Sequence, residues 1–235
     1  MKKLLSIFGS VVLLVMSSSC SLADLSAESD RKLITEIREH GHYPCAECHG
    51  IDGNPPITDQ FDKQSPSLAS QHSSYLERQL QAFKSGQRKA AEMDGMLQDY
   101  TLAEINQMAK YFSSQPLRVN PDLDPTIDTL VHTKTEDMEW VARGKVLYQQ
   151  GDAIRGIEAC SSCHGLSGKG NEEIHSPLLS AQHARYIRMT LQAYRQGARV
   201  TDTMMDGSMQ KISKKLNDED IRNVAAYLQS MDPVF

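Results

Sequence analysis

Two pentapeptides, Cys45-Ala46-Glu47-Cys48-His49 and Cys160-Ser161-Ser162-Cys163-His164, contain every cysteine of the chain except Cys20. Three chemistries use thiols at this spacing. A dithiol redox pair sits near a strand-helix unit, and no alternating apolar pattern of a strand is present. A zinc site on four thiolates leaves both histidines unused and spans two copies of one motif. Covalent haem attachment uses every residue. Cysteines three apart lie together on a helical turn, so both thiols reach the two vinyl groups on one porphyrin edge. The adjoining imidazole then falls beneath the iron. Cys45, Cys48, Cys160 and Cys163 are therefore expected to carry two covalent haem c groups, with His49 and His164 as iron ligands.

A six-coordinate iron needs a second ligand, from a loop distant in sequence that closes over the other face. Methionine raises the reduction potential because its soft thioether favours reduced iron. Met108 and Met189 fit helical stripes and read as core filler. Met138 and Met231 lie near element ends with nothing repeated around them. Met93 and Met96 flank Asp94-Gly95, and Met204, Met205 and Met209 surround Asp206-Gly207. Matching Met93-Asp94-Gly95 to Met205-Asp206-Gly207 selects Met93 and Met205, 44 and 41 residues after His49 and His164. Met96 and Met209 form the second pair. His40, His42, His132 and His175 read as surface or satisfied core residues. His72 and His183, each after a glutamine and before a helix, also read as structural.

The elements that must hold these residues are written twice. "SPSLASQHSSYLERQLQAFKSGQRK" from Ser65 is followed 111 residues later by "SPLLSAQHARYIRMTLQAYRQGARV" from Ser176, while the cysteines repeat at 115 and Tyr111 and Tyr227 at 116. Only small loop insertions separate the copies, which identifies a tandem duplication. Leu76, Leu80 and Phe83 predict one helix, and Ile187, Leu191 and Tyr194 its twin. The apolar stripes from Leu102 to Phe112 and from Ile221 to Leu228 predict a closing helix in each copy, capped by Thr101 with Glu104 and by Asn217 with Asp220. Trp140, Gly144, Leu147 and Tyr148 predict a helix leading into the second cysteine pair. The fold expected is all-α, with two tandem domains, 24–115 and 135–235, and a proline-bearing linker at 116–134.

Residues 1–23 read as a secretory signal: Lys2 and Lys3, an apolar run too short for a comfortable span, and a small-x-small site ending at Ala23. Acylation at Cys20 and an uncleaved anchor are the competing readings. Without this segment the chain carries 23 basic and 30 acidic side chains. That acidity argues against nucleic acid, whose binding rests on Lys and Arg, and leaves room for a protein partner with a basic patch. Only 6% of residues are aromatic, a thin supply of core for two small domains. A large apolar cofactor in each would help such halves fold.

These features resemble the diheme cytochrome c4 family, tandem class I cytochrome c domains exported to the bacterial periplasm. The resemblance rests on both Cys-x-x-Cys-His-Gly motifs, the Pro-x-Leu-x-x-Gln segments at Pro66 and Pro177, the tyrosine-bearing helices and both methionine turns. It implies an electron carrier, not an enzyme, delivering electrons to redox proteins such as respiratory complexes or a terminal oxidase. Membrane association would come only through partners or an uncleaved anchor. It also implies that a backbone carbonyl near Pro66 or Pro177 orients each proximal histidine, and it supports Met93 and Met205. One departure stands out: the opening helix of the first copy lacks the Gly-x-x-x-Tyr seen as Gly144 and Tyr148 in the second. The rival reading is a diheme redox enzyme or its cytochrome subunit: a peroxidase, thiosulfate dehydrogenase or other dehydrogenase. Such a centre needs an open or unusual sixth ligand, whereas both copies offer methionine.

Overall fold

The structure, a computed structural model, describes residues 22–36, 38, 41, 43–56, 65–118, 134–203 and 206–232, with backbone alone at 22–26 and 134–138. Among the described residues four helices lie in the first domain, α1 (Leu22–Thr35), α2 (Cys45–His49), α3 (Ser73–Lys84) and α4 (Leu102–Ser113), and five in the second, α5 (Lys134–Gln150), α6 (Ser161–His164), α7 (Ala184–Arg195), α8 (Ser208–Ser213) and α9 (Asp218–Ser230). Among the described residues extended pairing is confined to two isolated bridges, Asp152 with Ile157 and Asn171 with Ser176. Helix α5 takes in Lys134, assigned by sequence to the linker, and α8 was not anticipated after the Asp206-Gly207 turn.

Each domain closes its own core. In the first, Leu33, Ile34, Leu76, Ile105, Met108 and Phe112 meet; in the second, Leu147, Ile187, Leu191, Ile221, Val224 and Leu228 do. Met108 is core filler as expected, but Met189 is not. It is 49% exposed, because it sits two residues after Ile187 and so faces away from the buried stripe of α7. The caps form fully. Thr101 and Glu104 exchange both bonds of a capping box at α4, and Asn217 and Asp220 do the same at α9 despite the shorter aspartate. Arg38 pairs with Glu104, and Arg155 reaches both carboxylate oxygens of Asp220, tying each cap to the segment before its cysteine pair.

The missing Gly-x-x-x-Tyr has a structural answer. In the second domain α5 lies so close on α9 that a Cβ on Gly144 would stand 1.9 Å from the Asn223 carbonyl oxygen. In the first, Gln107 on α4 instead donates to Asp30 on α1 at 2.5 Å, a polar contact between the corresponding helices. Tyr148 of α5 donates to the Gly165 carbonyl at 2.6 Å, whereas the first domain steadies its matching loop from the last helix, through Tyr111 to the Ile51 carbonyl at 2.8 Å.

Candidate haem centres

Cys45, Cys48 and His49 occupy one short helix, and Cys163 and His164 another with Cys160 at its N-cap. Both histidines are buried, at 9% and 6% exposure. His49 Nδ1 lies 3.0 Å from the Pro66 carbonyl oxygen, and His164 Nδ1 lies 3.1 Å from that of Pro177. A carbonyl only accepts, so Nδ1 carries the proton and the Nε2 lone pair is left for a metal. Burial holds both imidazoles below the usual histidine range, partly opposed by these bonds, which keeps the rings neutral. The donor set therefore fits a haem iron, each ring being oriented by a carbonyl that holds the proton of its other nitrogen.

The cysteines do not suit the rival chemistries. Burial raises the Cys45 thiol and pushes the Cys160 thiol up to about 11, whereas a redox dithiol needs a lowered value. Among the described residues no three Cys, His, Asp or Glu side chains gather as metal ligands, so the shared four-thiolate zinc site does not form. Each Cys-His loop ends on a glycine, Gly53 or Gly168, whose carbonyl takes the amides of Leu68 and Ala69 or of Leu179 and Ser180. That hangs the carbonyl-bearing Pro66 and Pro177 segments beside the histidines. Both glycines have positive φ, and a Cβ on Gly53 would approach Ala69 N to 2.8 Å.

On the methionine side, Met93 and Met96 are half-buried against the first core, around Gly95 at φ 82°. Met209 packs on the second core. Met205, with Met204, lies outside the described residues.

The two domains meet through matched residues. Gln71 Nε2 donates to the Leu178 carbonyl at 2.9 Å and Gln71 Oε1 accepts from Leu178 N at 3.0 Å. Gln182 makes the same pair with Ser67, both bonds at 2.9 Å. Arg88 donates to Tyr186 and Arg199 to Tyr75, again in exchange across the interface. This is an isologous contact built from a duplicated chain. Burial would raise the Tyr186 hydroxyl, but the charges of Arg88 and Arg199 outweigh it and bring it to about 7. Among the described residues neither guanidinium has a carboxylate in ion-pair reach. His183 is buried in the interface at 2% exposure, while His72 is partly exposed beside Glu172. Sequence reasoning met Gln71 and Gln182 only as the ends of the two Pro-x-Leu-x-x-Gln segments and gave Tyr75, Tyr186, Arg88 and Arg199 no role. Their signal was polar identity at a constant spacing of 111.

A family model for cytochrome c matches residues 42–116 and 141–232. Cytochrome c4 of Pseudomonas aeruginosa is 34% identical over 187 residues, covering 80% of this chain and 83% of that protein. The chain belongs to the diheme cytochrome c4 family. The crystal structure of reduced recombinant cytochrome c4 from Pseudomonas stutzeri superposes with a TM-score of 0.69 at 31% identity, covering 88% of this chain and 98% of that one. The thiosulfate dehydrogenase electron acceptor of Thiomonas intermedia is 31% identical over 186 residues, covering 78% of this chain and 76% of that protein. As a cytochrome c4 the protein binds two covalently attached haem c groups and transfers electrons. No described helix is long and apolar enough to cross a membrane.

Proposed function

We propose that Cys45 and Cys48 attach one haem and Cys160 and Cys163 the other, with His49 and Met93 ligating the first iron and His164 and Met205 the second. The carrying observation is the pair of Nδ1-to-carbonyl bonds that leaves both buried Nε2 atoms as neutral ligands. When bound, the haem iron supplies a one-electron couple. The chain's own part is to fix the imidazoles, exclude water and offer countercharge to the haem carboxylates, for which Arg88 and Arg199, hydrogen-bonded to Tyr186 and Tyr75 but without a carboxylate partner among the described residues, are suited. Residues 24–115 and 135–235 form the two haem domains, 116–134 joins them, and 1–23 directs export to the periplasm.

The protein then carries electrons between redox proteins, toward a terminal oxidase, and does not itself turn over a substrate. Its excess of acidic side chains suits partners with a basic docking face. A second reading concerns the donor: one relative is named for accepting electrons from thiosulfate dehydrogenase, which favours an enzyme of that kind upstream. The test is rapid mixing of the purified diheme protein with reduced or oxidised partner proteins, beside thiosulfate and peroxide turnover assays. Fast exchange of two electrons per chain with no turnover is expected. Sustained turnover by the protein alone would overturn the carrier reading.

A further inference from the structure

The histidine-orienting carbonyls are held from the opposite domain. The Pro66 carbonyl that takes His49 Nδ1 and the Ser67 N–H are two ends of one peptide group. That N–H donates to Gln182 Oε1 of the second domain at 2.9 Å. The arrangement returns with domains exchanged: the Pro177 carbonyl takes His164 Nδ1, and the N–H of the same peptide, on Leu178, donates to Gln71 Oε1 of the first domain at 3.0 Å. Each glutamine amide also donates to the carbonyl of that same residue, Ser67 or Leu178, so it pairs with one backbone edge at two points. Each Oε1 further accepts the next amide in its own chain, His72 N or His183 N, which fixes the side chain's reach. Gln71 and Gln182 are 5% and 7% exposed, so water does not compete for these bonds.

The backbone is bent to achieve this. Ser70 and Ala181, the residues just before the two glutamines, both have φ near 55°. Neither is glycine, and the left-handed region is unfavourable for a residue with a Cβ. Paired strain at matched positions, immediately before the side chains that cross the interface, points to a function for the crossing.

We propose that Gln71 and Gln182 are positioning residues acting in trans, each setting the electron-donating strength of the proximal histidine in the other domain. This rests on the ligand roles of His49 and His164 given above. Hydrogen bonds in a chain polarise one another. An acceptor on the peptide N–H shifts electron density to the peptide oxygen, which then draws harder on the imidazole Nδ1 proton. The ring becomes a stronger donor at Nε2, which favours the oxidised metal and lowers the reduction potential. Domain docking thereby reaches both redox centres through three covalently or hydrogen-bonded groups, and undocking releases both.

The experiment uses the diheme protein with Gln182→Met and Gln71→Met, near-isosteric changes that remove the acceptor. Two quantities are read: the NMR shift of each histidine Nδ1 proton in the reduced, diamagnetic protein, and the two reduction potentials assigned to their domains by haem methyl resonances. Gln182→Met is expected to weaken the His49 proton's hydrogen bond and raise the first domain's potential, leaving His164 and the second domain in place. Gln71→Met should give the mirror result. Gln182→Glu keeps the acceptor, so the His49 signal should be retained. Shifts in the domain that carries the substitution, or equal shifts in both as simple loosening would give, overturn the proposal. The ligand reading is tested separately by His49→Gly and His164→Gly. If the low-spin spectrum survives these, that reading falls. If it is lost while the crossed pattern is absent, only the trans effect falls.

Discussion

Arg88 of the first domain and Arg199 of the second donate to one oxygen, Gln79 Oε1, at 2.9 Å each. Both are buried, at 9% and 3% exposure. Two such charges at roughly 6 Å and an effective dielectric of about 20 repel by about 3 kcal/mol. An interface that holds them together is shaped for negative charge, which the haem carboxylates would provide. Positive charge nearby favours reduced iron, so Arg88→Leu and Arg199→Leu should each lower both potentials, by about 1–2 kcal/mol for a charge at about 10 Å. Film voltammetry checks this. The common direction for both haems separates it from the crossed response expected of the glutamines.

The methionine assignment predicts a division of one optical signal. Met93→Ala and Met205→Ala should each abolish half of the methionine-to-iron charge-transfer band of the oxidised protein. Met96→Ala and Met209→Ala should leave it whole. An unchanged band in the first two variants would reject Met93 and Met205 as ligands.

Gly144 is where α5 and α9 touch, and any Cβ there displaces the backbone at Asn223. Gly144→Ala should destabilise the second domain by about 3 kcal/mol, the upper part of the usual overpacking range. Thermal melts followed at the second haem's resonances should shift down, with the first domain's melting little changed. The matching helix pair in the first domain depends on the Asp30–Gln107 bond instead, so Asp30→Ala should cost only about 1 kcal/mol.

Acid should loosen the interface through His183. Burial, with Arg118 adding a like charge, lowers it from 6.5 to about 4. Between those values the unfolded chain binds the proton and the folded chain does not, so stability falls as pH drops through that window. The full loss is about 3 kcal/mol, complete near pH 4. Denaturant titrations from neutral pH to pH 4 should show this slope, and His183→Gln should remove most of it.

The sequence by itself determined the chemistry and the duplication. Cys-x-x-Cys-His names its cofactor because spacing along one helical turn is a local property, and the copies of it could be matched by counting. Apolar periodicity placed α3, α4, α7 and α9, since a helix face is also local. Local rules failed at Met189, read as part of the helical stripe although it lies two residues after Ile187 on the outward side of α7, and at α8, a single turn-and-a-half with no periodic signal of its own. The departure in the first opening helix was visible as a missing glycine and tyrosine, but its repair by Asp30 with Gln107 and by Tyr111 was not, since each joins residues at least 60 apart. That the Pro66 and Pro177 carbonyls face the histidines followed from the family resemblance and from no local rule, while tertiary structure alone decided that Gln71 and Gln182 hold those peptides from the opposite domain. A glutamine's sequence neighbours say nothing of which backbone it will meet. That is settled when two copies of one surface, each carrying an unpaired peptide edge and an amide of matching shape, are brought face to face and must satisfy every polar group they bury.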